Sequence, residues 1–155
     1  MQLPEARTIL DNADCLHSEA EVSAALDKMG AAMCEALCAT NPIVYTVLNG
    51  GLIVAGHLLP RLQFPLEMSY MHATRYRHET SGGELNWKVK PQEDLRGRTV
   101  VIVDDILDEG HTLAAIIAYC KDQGASDVYV AVLIDKKHNR KAHGVKADFV
   151  GMEVE

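Results

Sequence analysis

The pattern of apolar and polar positions predicts helices and strands in alternation along the chain. Apolar residues recur at helical spacing in three segments, residues 18–39, 52–59 and 111–123. Short apolar runs rich in β-branched residues predict five strands, residues 43–48, 66–74, 99–103, 127–134 and 147–152. Because strands that alternate with helices pair in parallel, the pattern predicts an α/β fold with a parallel sheet covered by helices on both faces.

Local signals support these boundaries. Ser18 and Glu21 have the spacing of a capping box at the start of the first helix, and Gly124 is placed to cap the third. The polar stretch 77–90 lacks a clean period, so we interpret it as a mobile, hairpin-like excursion. No repeat, low-complexity segment or linker interrupts the chain, and residues 1–155 are therefore expected to form a single domain.

Composition narrows the class of protein. Apolar residues make up 48% and charged residues 24%, and no run approaches the roughly 18 consecutive apolar residues of a membrane span. The start of the chain lacks the build of a secretory signal, so we expect a cytoplasmic location. The net charge of -7 argues against a nucleic-acid binder, since phosphate neutralisation needs a basic face. The four cysteines form no CxxC pair and are expected to be reduced, and the seven histidines show no zinc-ligand spacing.

Residues 100–112 carry the clearest chemistry of the sequence. An apolar strand runs into Asp104 and Asp105, and a helix follows a few residues later. The loop 108–112 brings backbone amides to a helix N-terminus, where a phosphate is favoured, and Gly110 allows close approach. Two carboxylates beside such a loop suit the hydroxyls of a ribose, which donate hydrogen bonds. An acidic turn before an ordinary helix is the alternative, but the order of carboxylates, Gly and Thr favours a sugar-phosphate site.

The apolar strand running into D-D-I-L-D-E-G-H-T resembles the phosphoribosyl-pyrophosphate motif of type I phosphoribosyltransferases. Within that group it is most similar to the hypoxanthine-guanine phosphoribosyltransferases of purine salvage. The resemblance extends to residues 47–51, 75–76, 133–137 and 148–151. It implies an enzyme with a Rossmann-like parallel-sheet core and a small hood. That enzyme would use Mg²⁺ and transfer phosphoribose from 5-phosphoribosyl 1-pyrophosphate to hypoxanthine or guanine, giving IMP or GMP and pyrophosphate.

The resemblance also implies a role for each residue of the motif. Asp104 and Asp105 would hold the ribose 2′- and 3′-hydroxyls, directly or through the magnesium ion. Asp108 would lie under the purine N7 as the general acid or base. The 5′-phosphate would be wrapped by Asp108, Glu109, Gly110, His111 and Thr112.

Two further sets of contacts are implied outside the motif. At the purine, Lys136 would donate to the 6-oxo group, Phe149 would stack on the ring, and Val150 would read its edge through the backbone, with Ile106 at the same site. The pyrophosphate loop would consist of Leu48, Asn49 and Gly50, with a non-proline cis peptide between the first two. A lid of about residues 75–90 would include Arg75 and Tyr76.

The sequence departs from the family pattern at several positions. Glu109 stands where the family usually has Thr, Asn49 where a basic residue is common, and Arg75 where Ser is usual. The family continues with a metal-binding aspartate and a pyrophosphate-binding arginine beyond the position of Glu155, so we expect a C-terminal segment to be missing.

The sequence also supports expectations about partners, and it leaves alternative functions open. We expect small-molecule substrates and a homodimer or homotetramer, with neither nucleic acid nor membrane as a partner. Transfer to xanthine or a pyrimidine, and a nucleic-acid-binding regulator of the same fold, are the alternatives. The basic run 135–141 is interpreted as a solvated loop apart from Lys136, and Trp87 as a packing anchor.

Overall fold

The computed structural model describes residues 1–75 and 85–155, which form a six-stranded sheet with helices on both faces. The helices are α1 (Leu3–Asp11), α2 (Glu19–Leu37), α3 (Gly51–Leu58) and α4 (His111–Asp122), with a 3₁₀ turn over Leu59–Arg61. The strands are β1 (Ile43–Val47), β2 (Glu67–Arg75), β3 (Leu85–Val89), β4 (Thr99–Leu107), β5 (Asp127–Lys136) and β6 (Phe149–Val154). The strand order is β3-β2-β1-β4-β5-β6, and only the β2–β3 pair of this sheet is antiparallel.

The predicted α/β fold class is confirmed, and so are the helix caps. The Ser18 hydroxyl accepts a hydrogen bond from the Glu21 amide at 3.3 Å, and the Glu21 carboxylate accepts one from the Ser18 amide at 2.7 Å. Gly124 has a φ of +90°, a left-handed conformation that suits glycine just beyond the end of α4. The predicted packing role of Trp87 is also confirmed, because its ring lies 4.8 Å from that of Tyr119 on α4, centroid to centroid.

The structure differs from the sequence pattern in three elements. The sequence pattern does not predict α1, which has no buried residue and therefore lacks a core-facing stripe. The sheet is not wholly parallel, because residues 85–89 of the polar stretch form β3 against β2. Strand β4 does not stop at Val103 but continues to Leu107, since its pairing with β5 continues that far. Asp104 and Asp105 therefore lie within the strand rather than after it.

Each face of the sheet is buried under its own helices. Alternate side chains of the strands point to opposite faces. On one face Ile102 and its neighbours pack against α4, and on the other Val101 and its neighbours pack against α2 and α3. Burial on both faces explains why the central strands are apolar without alternation. No helix in the described part of the chain is long and apolar enough to cross a bilayer.

The parallel strands β1, β4 and β5 end at the same edge of the sheet, so the segments that follow them meet there. The start of α3 approaches β4 closely. A Cβ atom at Gly51 would lie 2.6 Å from the carbonyl oxygen of Val103, so only glycine fits without a shift. The sequence Gly50-Gly51 thus allows the loop after β1 to lie directly against β4.

A partly buried hydrogen bond connects β1 to the segment that precedes β4. Tyr45 is fully buried, and its hydroxyl donates to the Glu93 carboxylate at 2.5 Å. Burial, together with this contact, raises the pKa of Tyr45. Although burial acts in the opposite direction, hydrogen bonds from Tyr45 and Ser69 hold the pKa of Glu93 below its ordinary value. The tyrosine is therefore the donor and the glutamate the ionised acceptor.

Tyr45→Phe should lower the free energy of unfolding by about 1–3 kcal/mol, because it leaves the half-buried Glu93 carboxylate without its tyrosine donor. Urea denaturation with an unchanged slope measures this loss. Tyr70→Phe is the matched control, because Tyr70 is an exposed residue, and it should change stability by less than about 0.5 kcal/mol. Equal small losses in both variants would contradict a stabilising role for the Tyr45–Glu93 bond.

Candidate active site

A cavity of about 580 Å³ opens at the carboxyl end of β4. Its walls are formed by Ala73 and Thr74 of β2, by Asp104, and by residues 106–113. The whole of the predicted phosphate loop, residues 108–112, therefore lines one cavity together with the first carboxylate of the predicted ribose site.

Gly110 shapes the start of α4 at this cavity. It has a φ of +75°, and a Cβ atom there would lie 2.7 Å from Cδ1 of Leu107. No side chain caps α4 at Gly110. The backbone N–H groups at the start of a helix have no partner within the helix, and they carry the positive end of its dipole. The first turn of α4 can therefore bind an anionic group in the cavity.

Asp104 and Asp105 lie side by side at the end of β4 and differ in their surroundings. Asp104 Oδ1 accepts a hydrogen bond from the Asp105 amide at 2.9 Å, and Asp105 Oδ1 accepts one from the Ile106 amide at 2.8 Å. Burial, with a further contribution from the neighbouring Asp105, raises the pKa of Asp104 to about 7. A hydroxyl or a cation that contacts this pair would stabilise the ionised form that burial disfavours.

The loop after β1 lies against these carboxylates. The Leu48 amide donates to the carbonyl of Met71 at 2.8 Å, and the peptide bond between Leu48 and Asn49 is cis, as the resemblance implies. Asn49 and Gly50 are exposed at the start of α3. A Cβ atom at Gly50 would lie 2.7 Å from Oδ1 of Asp105. The structure thus brings the predicted pyrophosphate loop and the predicted ribose carboxylates into contact.

Asp108 has two charged or polar partners, one on each carboxylate oxygen. Lys136 Nζ lies 2.8 Å from Oδ2, and His138 Nε2 lies 2.7 Å from Oδ1. The Lys136 contact, followed by that of His138, holds the pKa of Asp108 below its ordinary value. Asp108 is therefore an ionised carboxylate that can accept a proton from a ligand in the cavity.

Comparison with known proteins agrees with this geometry. The phosphoribosyl transferase domain family matches residues 16–153, which is most of the chain. The chain belongs to the phosphoribosyltransferase family. It is 33% identical over 140 residues to the hypoxanthine-guanine phosphoribosyltransferase of Bacillus subtilis, a match that covers 90% of this chain and 77% of the relative.

Two further proteins resemble this phosphoribosyltransferase. The hypoxanthine-guanine-xanthine phosphoribosyltransferase of Tritrichomonas foetus is 28% identical over 140 residues, covering 90% of this chain and 76% of the relative. A crystal structure of a hypoxanthine phosphoribosyltransferase from Staphylococcus aureus matches with a TM-score of 0.86 at 21% identity, covering 96% of this chain and 80% of that one. The family and the fold class predicted from the sequence are thus confirmed.

The residues predicted to bind a purine are only partly brought together in this phosphoribosyltransferase. Ile106 lines the cavity, and Lys136 contacts Asp108. Phe149 is 8% exposed and packs in the apolar cluster under α2 and α3, with its ring 6.0 Å from that of Tyr129, centroid to centroid. Val150 packs against the cluster on the α4 face. Neither is among the residues that form the walls of the described cavity, and their roles at the purine stay predictions.

Only the two ends of the predicted lid, about residues 75–90, belong to the described part of the chain. The backbone of Arg75 ends β2, where it pairs with Leu85 of β3. Tyr76 and the stretch that follows it, up to residue 84, lie outside the described residues. The lid therefore stays a prediction.

The segment after β5 packs on the phosphate loop and contains a site residue that the sequence analysis missed. The carbonyl of Glu109 accepts a hydrogen bond from the Ala142 amide at 2.7 Å. The Glu109 carboxylate lies 3.7 Å from His111 and 3.9 Å from Arg140. The missed residue is His138, which follows Lys136 by two positions. Strand alternation offers no signal for it, because β5 ends at Lys136 and His138 lies in the loop beyond, where only its contact with Asp108 identifies it.

Asp104→Asn should stabilise the metal-free protein more at pH 8 than at pH 5. The native pKa of about 7 lies above the ordinary value of 3.8, so the folded state retains a proton that the unfolded state loses. Stability therefore falls as the pH rises between these two values and levels off above 7, whereas asparagine cannot ionise. Urea denaturation in chelator across this range measures the difference.

Asp127→Asn, at an exposed position at the start of β5, is the control for this experiment. It should change stability by a similar small amount at every pH. If the stability gained by Asp104→Asn does not increase with pH, the result would contradict the burial of the Asp104 carboxylate.

Proposed function

We propose that the protein transfers phosphoribose from 5-phosphoribosyl 1-pyrophosphate to hypoxanthine or guanine and so acts in purine salvage. One observation carries this proposal. The first turn of α4, the Asp104-Asp105 pair and the ionised Asp108 meet at a single edge of the sheet, around or beside one cavity. The names of the relatives from Bacillus subtilis and Tritrichomonas foetus support the same activity.

The 5′-phosphate would bind at residues 108–112. The uncapped amides of α4 would supply donors, and Gly110 allows the left-handed turn before them, where a Cβ atom would collide with Leu107. Glu109 is compatible with an anion here because its carboxylate lies near Arg140 and His111, on the side of the segment after β5.

Asp104 and Asp105 would hold the ribose hydroxyls and a magnesium ion. Each carboxylate uses one oxygen to accept a neighbouring amide, and no other N–H donor within residues 1–74 and 85–155 reaches the second oxygen of either. No group of three or more acidic, histidine or cysteine ligands occurs in those ranges. Two carboxylates suit Mg²⁺, which binds through one or two such groups and completes its shell with water and substrate phosphates. When bound, the ion would neutralise charge on the departing pyrophosphate.

The Lys136–Asp108 pair matches one edge of a 6-oxopurine. Such a purine presents an oxo acceptor at C6 and, in its N7–H form, a donor at N7. Lys136 would donate to the oxo group, and Asp108 would accept the proton from N7 as the glycosidic bond forms at N9. Adenine carries a 6-amino group in place of the oxo acceptor and would leave the lysine without a partner.

Xanthine is a second candidate acceptor. It shares the 6-oxo and N7 edge that the Lys136–Asp108 pair would recognise, and the Tritrichomonas foetus relative is named for xanthine as well. The site therefore favours 6-oxopurines as a class, with hypoxanthine and guanine first. The cytoplasmic location stays a prediction.

We further propose that the protein is a homo-oligomer that uses an apolar surface beside the site. Leu52 and Ile53 of α3 are exposed, as are Met68 and Tyr70 of β2. Met68 is paired with Val44, which packs under α2 and α3, so Met68 and Tyr70 lie on the face of the sheet that these helices cover. Apolar surface of this kind marks contact with another protein chain, and a second copy is the partner we propose.

The first prediction is turnover with 6-oxopurines. In the presence of phosphoribosyl pyrophosphate and Mg²⁺, nucleotide should form from hypoxanthine and guanine and not from adenine or uracil. Asp108→Asn should lower kcat by about 10²–10⁴-fold because the proton acceptor is removed. Asp122→Asn, at the exposed far end of α4, should leave kcat unchanged. The absence of turnover with every base, xanthine included, would contradict the proposal.

The second prediction concerns the oligomer. Light scattering after size-exclusion chromatography should give the mass of a dimer or tetramer for the 17.0 kDa chain and a smaller assembly for Ile53→Glu, because a buried carboxylate opposes association. Leu10→Glu, at an exposed position of α1, should leave the mass unchanged. A monomeric parent protein would rule out this interface.

A further inference from the structure

We propose that His138 is a positioning residue for the phosphoribosyl transfer: it holds the Asp108 carboxylate in place while Lys136 moves from Asp108 to the purine. This inference rests on the proposed function and deepens it. The resemblance implies no role for His138, which lies in the basic run 135–141.

The hydrogen bonds of the imidazole fix its orientation and its tautomer. The side chain of His138 is 16% exposed. Nδ1 accepts a hydrogen bond from the Arg140 amide at 3.1 Å, so a neutral ring carries its proton on Nε2. That proton points at Asp108 Oδ1, which lies 2.7 Å away. The backbone of the segment after β5 therefore presents His138 to Asp108 as a hydrogen-bond donor.

Lys136 and His138 contact different oxygens of Asp108, and this difference decides what happens when a purine binds. Lys136 contacts Oδ2, and in the proposed reaction it must turn to the 6-oxo group. Asp108 then loses its ion pair at the moment when it must face N7. His138 contacts Oδ1 and need not move. It therefore keeps the carboxylate oriented, with Oδ2 available to the purine.

Other polar and charged groups lie near Asp108, Lys136 and His138, but none of them takes the place of the hydrogen bond from His138 to Asp108 in the described part of the chain. Glu109 lies on the loop before α4, His111 is the first residue of α4, and Arg140 lies on the segment after β5. The Glu109 carboxylate lies 3.7 Å from His111 and 3.9 Å from Arg140, so it partly offsets the charge of the arginine. Lys136 and His138 are the donors to the Asp108 carboxylate within the described residues. The lowered pKa of Asp108 agrees with this pair of donors.

Two variants separate positioning from a merely structural role. His138→Gln retains an N–H donor near the position of Nε2, whereas His138→Asn ends near the position of Nδ1 and cannot reach Asp108. Both are polar and uncharged, so they differ mainly in reach. If His138 served only to pack the segment after β5, the two variants would behave alike.

The first measurement is made on the ligand-free protein and does not depend on activity. The ¹³C carboxyl resonance of Asp108 is titrated with pH in the parent protein and both variants. The midpoint should rise by about 0.4 to 1 pH unit in His138→Asn, since loss of a donor favours protonation, and should stay near the parent value in His138→Gln. Equal titration midpoints of Asp108 in all three proteins would show that His138 does not donate a hydrogen bond to it.

The second measurement is steady-state kinetics with hypoxanthine. His138→Asn should lower kcat by about 2- to 10-fold and move the acid limb of kcat/KM to higher pH, with the KM for phosphoribosyl pyrophosphate unchanged. His138→Gln should restore both values. Parent-like kcat in His138→Asn, or equal losses in the two variants, would overturn the positioning role. No turnover by the parent protein would instead refute the proposed function, and the titration would still decide the contact.

Discussion

The pairing of β4 between β1 and β5 is the constraint on which the site depends. Parallel pairing on both sides forces the segments after these three strands to the same edge of the sheet. The strand itself supplies the Asp104-Asp105 pair, the turn after it supplies Asp108, and β5 ends at Lys136 beside that turn. The arrangement of the candidate site is therefore a consequence of strand order, and two apolar clusters pack against β4 from its two faces.

Several carboxylates share this small region, and their surroundings give them different properties. Burial favours the neutral form of Asp104, whereas Lys136 and His138 favour the ionised form of Asp108. Separation of this kind allows neighbouring acidic groups to do different work at one pH. The first can respond to a cation or a sugar hydroxyl, and the second can accept a proton. An anionic substrate is tolerated because amides at the start of α4 face the cavity.

The sequence predicted the phosphate loop, the strand before it and the family, because these depend on residues close together in the chain. It did not predict how far β4 extends, since two polar residues at 104 and 105 look like the end of a strand until pairing with β5 is known. It missed His138 for the same reason: a histidine in a basic loop gains meaning only from Asp108, which is distant in sequence. The placement of Phe149 likewise depends on packing against α2 and α3.

Helix α1 has no buried residue, although it lies at the start of an otherwise well-packed chain. A nine-residue helix that gains nothing from tertiary burial is marginal in water, because its nucleation cost is not repaid by packing. Its folding is thus uncoupled from that of the sheet. We therefore expect cooperative unfolding to involve the elements from α2 onward, so that the first residues of the chain can fray, bear a label or carry a fusion partner without disturbing the site.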